Sequence, residues 1–248
     1  MKPILRIILL ISFFGFSRAA ICQDLEKSTW AHSGDIILTH NGISNIPAFS
    51  LKKPALLAFF HAGHSRFSID PQAAFSLNGK PWFMNLWLRY KVVEQKKFEL
   101  RSGMSWTLSF KEVQSKNSGD SPARINRASR YVFGELAPSW KFSDRVSLTL
   151  QYWYGHSLES DGVQQIHFTR LEGKFTRVPI SRMFYVNVIP QVFYLNDDAG
   201  SGYFSAVTVR VGYRKLPLLL GVMCNQPIYA RLDSKPGFIW NTHLLYTF

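Results

Sequence analysis

Cysteine is nearly absent from this chain. Cys22 and Cys224 are the only two in 248 residues, too few for a disulfide framework. Cys22 lies in a segment expected to be removed on export, which leaves Cys224 alone and excludes an intramolecular bridge. Long hydrophobic runs are missing too. The apolar stretch 7–16 falls short of the ~20 residues that a spanning helix needs. Charge is sparse, at 18% of residues against about 25% in a typical soluble domain. Acid is the scarcer sign, with 16 Asp and Glu against 29 Lys and Arg. The chain has no phosphate-cradling glycine loop, no G-x-S-x-G and no H-E-x-x-H. Its basic residues are scattered rather than run together, so a nucleic-acid partner is not expected.

What is present fits a membrane wall built from strands. Hydrophobic residues make up 46% and aromatics 15%, and mean hydropathy is −0.04. Strands that give every second residue to lipid produce such a middling average. At the start, Lys2 and Arg6 precede the apolar core and Ser17-Arg-Ala-Ala-Ile-Cys-Gln23 forms a cleavage region. Residues 1–23 therefore predict a secretory signal peptide, cut after Gln23 or alternatively after Ala20. Ile21 precedes Cys22 where a lipidation signal wants a small residue. Without this segment 26 basic and 16 acidic side chains remain, a net charge of +10. In an exported chain that balance points to lipid headgroups or an anion path. Residues 24–45 predict a periplasmic lead-in with a little local strand at 35–39, and residues 46–248 the folded unit.

From Phe67 onward, segments of period-2 alternation are separated by turn residues. They predict strands near 66–78, 81–93, 98–113, 125–142, 145–158, 166–178, 183–195, 203–215, 218–231 and 238–248. Two shorter apolar runs, 46–51 and 54–62, raise the count from ten to twelve. Twelve is favoured, because an apolar segment such as 56–60 left in water invites aggregation. Short links at 94–97, 143–144, 179–182 and 216–217 alternate with longer ones at 114–124, 159–165, 196–202 and 232–237, as the turns and loops of a transmembrane barrel do. The tight Asn78-Gly-Lys80 link breaks the rhythm. The expected fold is all-β: a transmembrane antiparallel up-and-down β-barrel of about 12 strands, with 10 as the alternative. A soluble lipocalin-like barrel would use the same large residues as a core.

The faces agree with the membrane reading. Leu100, Met104, Trp106 and Leu108 oppose Arg101, Ser105, Thr107 and Ser109, and Val207, Val209 and Val211 oppose Thr208, Arg210 and Gly212. Trp82, Tyr90, Trp140, Tyr152, Tyr194, Tyr203, Tyr213, Trp240 and Tyr246 fall toward strand ends, as in aromatic girdles. With the apolar face outward, the lumen is expected to hold Arg89, Lys91, Glu99, Arg101, Glu135, Lys141, Arg170, Glu172, Lys174, Arg210 and Arg214. These side chains must pair or face water. They leave two readings, a salt-bridged plug or a narrow pore favouring anions. His61 and His64, and Asn196-Asp-Asp198 with Gly200 and Gly202, are weighed as metal donors. A hydrogen-bonded histidine and a solvated loop explain them equally well, so no metal and no cofactor are expected.

Two resemblances add to this. The stretch from Phe238 to Phe248, with Trp240, Tyr246 and Phe248 on one face, resembles the last strand of bacterial outer-membrane β-barrels. That likeness implies the cell outer membrane as location, its lipid as surroundings and the barrel-assembly machinery as a partner. Pro47-Ala-Phe-Ser-Leu51, Leu77-Asn-Gly-Lys-Pro-Trp82 and Tyr90-Lys91 share the look of uncharacterised members of that class, which implies a non-enzymatic structural, loop-presenting or channel role. Gly155-His-Ser-Leu-Glu-Ser-Asp-Gly162 and the following Ile166-His-Phe-Thr-Arg-Leu171 faintly resemble outer-membrane phospholipase A, which implies His156 as base and Ser160 as nucleophile. That family places its serine two residues after the histidine, where this chain has Leu158. It also orients the base with an asparagine, and none faces His156 here.

Overall fold

Large apolar residues alternate with polar ones almost without break from Ile36 to Thr247, and the chain answers with strands. The computed structural model describes residues 30–44, 49–114, 124–160, 163–198, 200–232 and 237–248. The expected signal peptide and the first residues of the expected lead-in lie outside these. Twelve strands occur among the described residues: β1 (Ala31–Thr39), β2 (Ala55–His64), β3 (Phe67–Ser76), β4 (Pro81–Glu94), β5 (Phe98–Gln114), β6 (Arg124–Ser143), β7 (Val146–Ser157), β8 (Gln165–Pro179), β9 (Phe184–Asp197), β10 (Gly200–Tyr213), β11 (Leu218–Leu232) and β12 (Ile239–Thr247). Each pairs antiparallel with its neighbours in sequence, and β1 pairs with β12, so the sheet closes on itself. Closure removes the open edge and gives every strand a partner on both sides, which is the condition for crossing hydrocarbon.

The number twelve is as expected and β2 falls on the expected run 54–62, but the first strand differs. The barrel begins at Ala31 rather than at 46, within the expected lead-in. β1 has little apolar character before Ile36. It exists because both its edges are used, nine residues pairing with β2 and five with β12. Of the run 46–51, residues 46–48 lie outside the described ones, and Phe49 to Leu51 form no strand.

Links at one end, 65–66, 95–97, 144–145, 180–183 and 214–217, hold two to four residues. At the other end, 40–54, 115–123, 158–164 and 233–238 are longer. Residues 77–80 form the tight exception already seen in the sequence. The expected loop at 196–202 is instead a two-residue link, because β9 and β10 stay in register as far as Asp197 and Gly200.

The apolar faces look outward. Leu86, Trp106, Leu136, Val192, Val209 and Leu244 are exposed, and Leu220 is 65% exposed. A soluble barrel would hide these residues, and a belt of this extent in water would drive aggregation. Aromatic pairs mark the two rims. Phe98 lies 5.6 Å from Trp140 and Phe184 lies 5.3 Å from Tyr213 at the short-turn end, while Tyr194 lies 4.7 Å from Tyr203 at the other. Trp82 departs from the expected girdle. A register shift between Ala74 and Phe75 adds a residue on β4 and turns the indole into the barrel, where it is buried.

The β1–β12 seam carries Trp240, Tyr246 and Phe248 on its outer surface. Gly34 and Phe248 exchange backbone hydrogen bonds of 2.9 and 3.0 Å. The Phe248 ring lies over Gly34 so closely that a Cβ there would sit 2.5 Å from the ring. Phe60, 5.8 Å away, and Tyr246, 5.9 Å away, pack around the same ring.

Candidate functional site

Inside the barrel three zones follow one another from the long-loop end to the short-turn end. The first is aromatic. Trp87 lies 5.4 Å from Trp153, Trp153 5.2 Å from Phe168, Phe168 5.5 Å from Phe193, and Phe193 stacks on Phe204 at 4.9 Å. Phe133 and Tyr131 extend the series on β6, and Phe49 of the β1–β2 link reaches in to 5.4 Å from Tyr131. Ile166, Leu195, Ala206 and Leu232 fill the gaps. The Phe49 carbonyl accepts a 2.7 Å hydrogen bond from Trp82 Nε1, which fastens the link to the barrel wall. The lumen was expected to be a mixed face named by its charged residues, and this aromatic series was not among them. The missed signal is consecutive apolar residues on one strand, such as Val192-Phe-Tyr-Leu195 and Tyr203-Phe204, which put apolar groups on both faces at once.

The second zone is a belt of ion pairs. His61 Nδ1 lies 2.5 Å from Asp70, and Arg89 bridges Asp70 at 2.5 Å and Glu135 at 2.7 Å. Arg101 reaches the same Glu135 oxygen at 3.2 Å. The other Glu135 oxygen accepts from Gln151 and, at 3.0 Å, from Trp153 Nε1. Gln151 in turn accepts from Arg170 at 2.5 Å. Glu172 holds Arg170 at 3.5 Å and Lys174 at 3.2 Å, and accepts from Gln191 at 2.6 Å. The network therefore runs continuously from β2 to β9. Arg89 also stacks 4.4 Å above Trp87, tying the belt to the aromatic zone. Toward the short-turn end Lys91 meets Glu94 at 2.5 Å and Lys141 meets Glu99 at 4.0 Å. Nine of the eleven residues expected in the lumen are thus paired with opposite charge.

Arg210 and Arg214 are not. They line the third zone, a cavity of about 1170 Å³ at the short-turn end, together with Arg145, Arg177 and Lys215. Asp35 and Asp144 are the carboxylates on its wall. Arg210 sits at the inner end. Its Nε donates to His243 Nε2 at 3.0 Å, so that nitrogen carries no proton, and His243 Nδ1 faces Asn241 Oδ1 at 3.3 Å. Gly221 makes the room: a Cβ there would lie 2.3 Å from His243 Nε2 and 2.8 Å from Arg210 Cγ. Arg145, Arg177 and Lys215 escaped the sequence reading because they stand at turns and a bulge, outside the period-2 faces. They share one end once the link lengths are followed round the barrel.

The hydrolase and metal candidates do not assemble. His156 points outward at the end of β7, Ser160 is exposed in the following link, and no hydrogen bond joins them. Asp198 caps the backbone N–H groups of Gln164 and Gln165. Among the described residues no group of His, Cys, Asp and Glu has the arrangement of a metal site.

No family model matches the chain, and no curated protein matches it in sequence. Solved structures do. A KdgM porin in complex with disordered oligogalacturonate superposes with a TM-score of 0.57 at 9% identity, covering 87% of this chain and 99% of the porin. A NanC porin superposes with a TM-score of 0.52 at 11% identity, covering 87% of this chain and 98% of the porin. At these identities the likeness is one of fold: the outer-membrane β-barrel.

Proposed function

We propose that this chain is an integral outer-membrane β-barrel without catalytic activity or cofactor, whose sealed lumen supports a structural, loop-presenting role. The observation that carries the reading is the filled interior: an aromatic series from β4 to β10 stacked on an ion-pair belt from β2 to β9. Outer-membrane placement is supported by the outward apolar belt, the two aromatic rims, the alternation of link lengths and the porin-like fold. The short-turn end then faces the periplasm. Export through residues 1–23, outer-membrane lipid around the outer face and delivery by the barrel-assembly machinery through Trp240, Tyr246 and Phe248 complete the reading. Planar-bilayer recording tests it. The purified barrel should give no steady conductance, and open-channel currents from the unaltered protein would overturn the sealed lumen.

One observation favours a second reading, the narrow anion-favouring channel. The large cavity shares Arg210 with a cavity of about 100 Å³, which shares Trp82 with one of about 370 Å³ at the long-loop end. These mark a path along the side away from most of the aromatic series, narrowed at two side chains. Trp82→Ala should turn the silent barrel into an anion-selective one if that path is used. Silence from this variant removes the channel. The hydrolase has no such support, and His156→Ala should leave every measured property of the barrel unchanged.

A further inference from the structure

We infer that the short-turn cavity is a binding site for a small, soluble, multiply charged anion bearing carboxylate or phosphate groups. The inference concerns this cavity alone and holds whether or not the barrel conducts.

Five cations converge on this one space, Arg145, Arg177, Arg210, Arg214 and Lys215, against the two carboxylates Asp35 and Asp144. Among the described residues no ion pair within 4 Å involves any of the five, whereas the lumen cations one zone deeper all have one. Asp35 accepts a 2.8 Å hydrogen bond from Thr247 Oγ1, which occupies one of its oxygens. Arg210 is part-buried, and its contact to His243 uses Nε, leaving the two Nη groups free for a bidentate partner. A part-buried guanidinium with no carboxylate within 4 Å among the described residues raises the free energy of the empty site. An entering anion lowers it.

Arg177 gives a second, independent sign. It stands in a bulge between Phe175 and Val178 and has φ +52°, a left-handed conformation that a residue with a side chain seldom adopts. Strand parity would send its side chain to the lipid, yet the bulge turns it onto the cavity wall. Asn187 Oδ1 fixes that backbone by accepting the Arg177 N–H at 2.7 Å. Strain held in place at a cavity wall is the kind that binding sites store. Tyr185, Asn187 and Thr176 add neutral donors beside the cations. At about 1170 Å³ the cavity lies just above the roughly 300–1,000 Å³ of ordinary ligand pockets, with room for a small anion and its hydration water.

Calorimetric titration of the detergent-solubilised full chain at low salt tests this, with tripolyphosphate and citrate as probes. Saturable one-to-one binding of at least one probe is expected, weakening as chloride is raised. Arg177→Gln with Arg214→Gln should cut the affinity at least tenfold, and Arg130→Gln at the opposite end should leave it unchanged. Retention of the heat-modifiable band shows that each variant is folded. Should Arg210→Gln fail to fold, the double variant at the cavity wall still decides. Absence of saturable binding for both probes overturns the inference. So does equal affinity in the double variant, or an interaction seen only with micelles containing phosphatidylglycerol, which would assign the cations to lipid headgroups.

Discussion

The ion-pair belt and the short-turn cavity hold the same residue types inside the same barrel, and they differ in whether those residues are paired. In the belt, Asp70, Glu135 and Glu172 answer the four cations Arg89, Arg101, Arg170 and Lys174 at 2.5 to 3.5 Å. In the cavity, five cations face two carboxylates, and none of the five forms an ion pair among the described residues. Charges placed inside a barrel wall must be satisfied by partners or by water and solutes. The belt takes the first course and becomes part of the structure. The cavity takes the second and stays available. The difference separates side chains that hold the barrel together from side chains free to bind.

Substitutions on the two sides should therefore behave oppositely, and the largest effect is expected in the belt. Glu135→Gln would leave Arg89 and Arg101 without their shared carboxylate, and removing one member of a buried pair costs about 3–5 kcal/mol. Urea unfolding followed by loss of the heat-modifiable form measures this. A loss no greater than that of a cavity variant would dissolve the distinction. Next in size is a control on the wall itself. Gly34→Val pushes a side chain into the space of the Phe248 ring, and overpacking of this kind costs about 1–3 kcal/mol. The same assay should show it, together with slower closure of the β1–β12 seam during refolding. In the cavity, Arg214→Gln should change stability by no more than ~0.5 kcal/mol, or raise it slightly by relieving repulsion among like charges. A loss of several kcal/mol there would show hidden partners and undo the comparison.

The smallest effect belongs to a third charged cluster, outside the membrane-spanning part of β5. Glu112 accepts from Lys53 at 2.7 Å and Lys80 at 2.6 Å, and these two hydrogen bonds lower its pKa to about 2. Because the folded value lies below the ordinary 4.5, the contribution is present at higher pH and is lost as pH falls from about 4.5 through about 2. Limited proteolysis of the β1–β2 link should therefore quicken near pH 2. Glu112→Gln should quicken it at neutral pH without moving global unfolding. Equal rates in variant and parent would remove the cluster as a tether.

Much of the barrel was legible in advance because its physics is local. Eleven strands, β2 to β12, lie within a few residues of their expected bounds, since period-2 alternation and turn residues act over neighbouring positions. β1 was illegible for the opposite reason. Ala31-His-Ser-Gly-Asp35 carries no strand pattern and becomes a strand only because β2 and β12 offer two edges. The aromatic zone was hidden likewise, since a residue such as Phe204 is apolar whichever face it takes. Trp82 was expected on the outer girdle and Arg177 was not placed at all, because single-residue bulges reverse parity and neither bulge shows in composition or spacing.

Taken alone, the order of residues determined an all-β chain with outward apolar faces, a lumen rich in charge and links that alternate in length. These follow from alternation, which assigns every residue a side. Only the closed structure decided which charges meet. Partners such as Arg89 and Glu135 are 46 positions apart, and the five cavity cations are gathered from two turns, a bulge and a strand. Convergence of that kind depends on strand stagger and closure, which no local pattern contains.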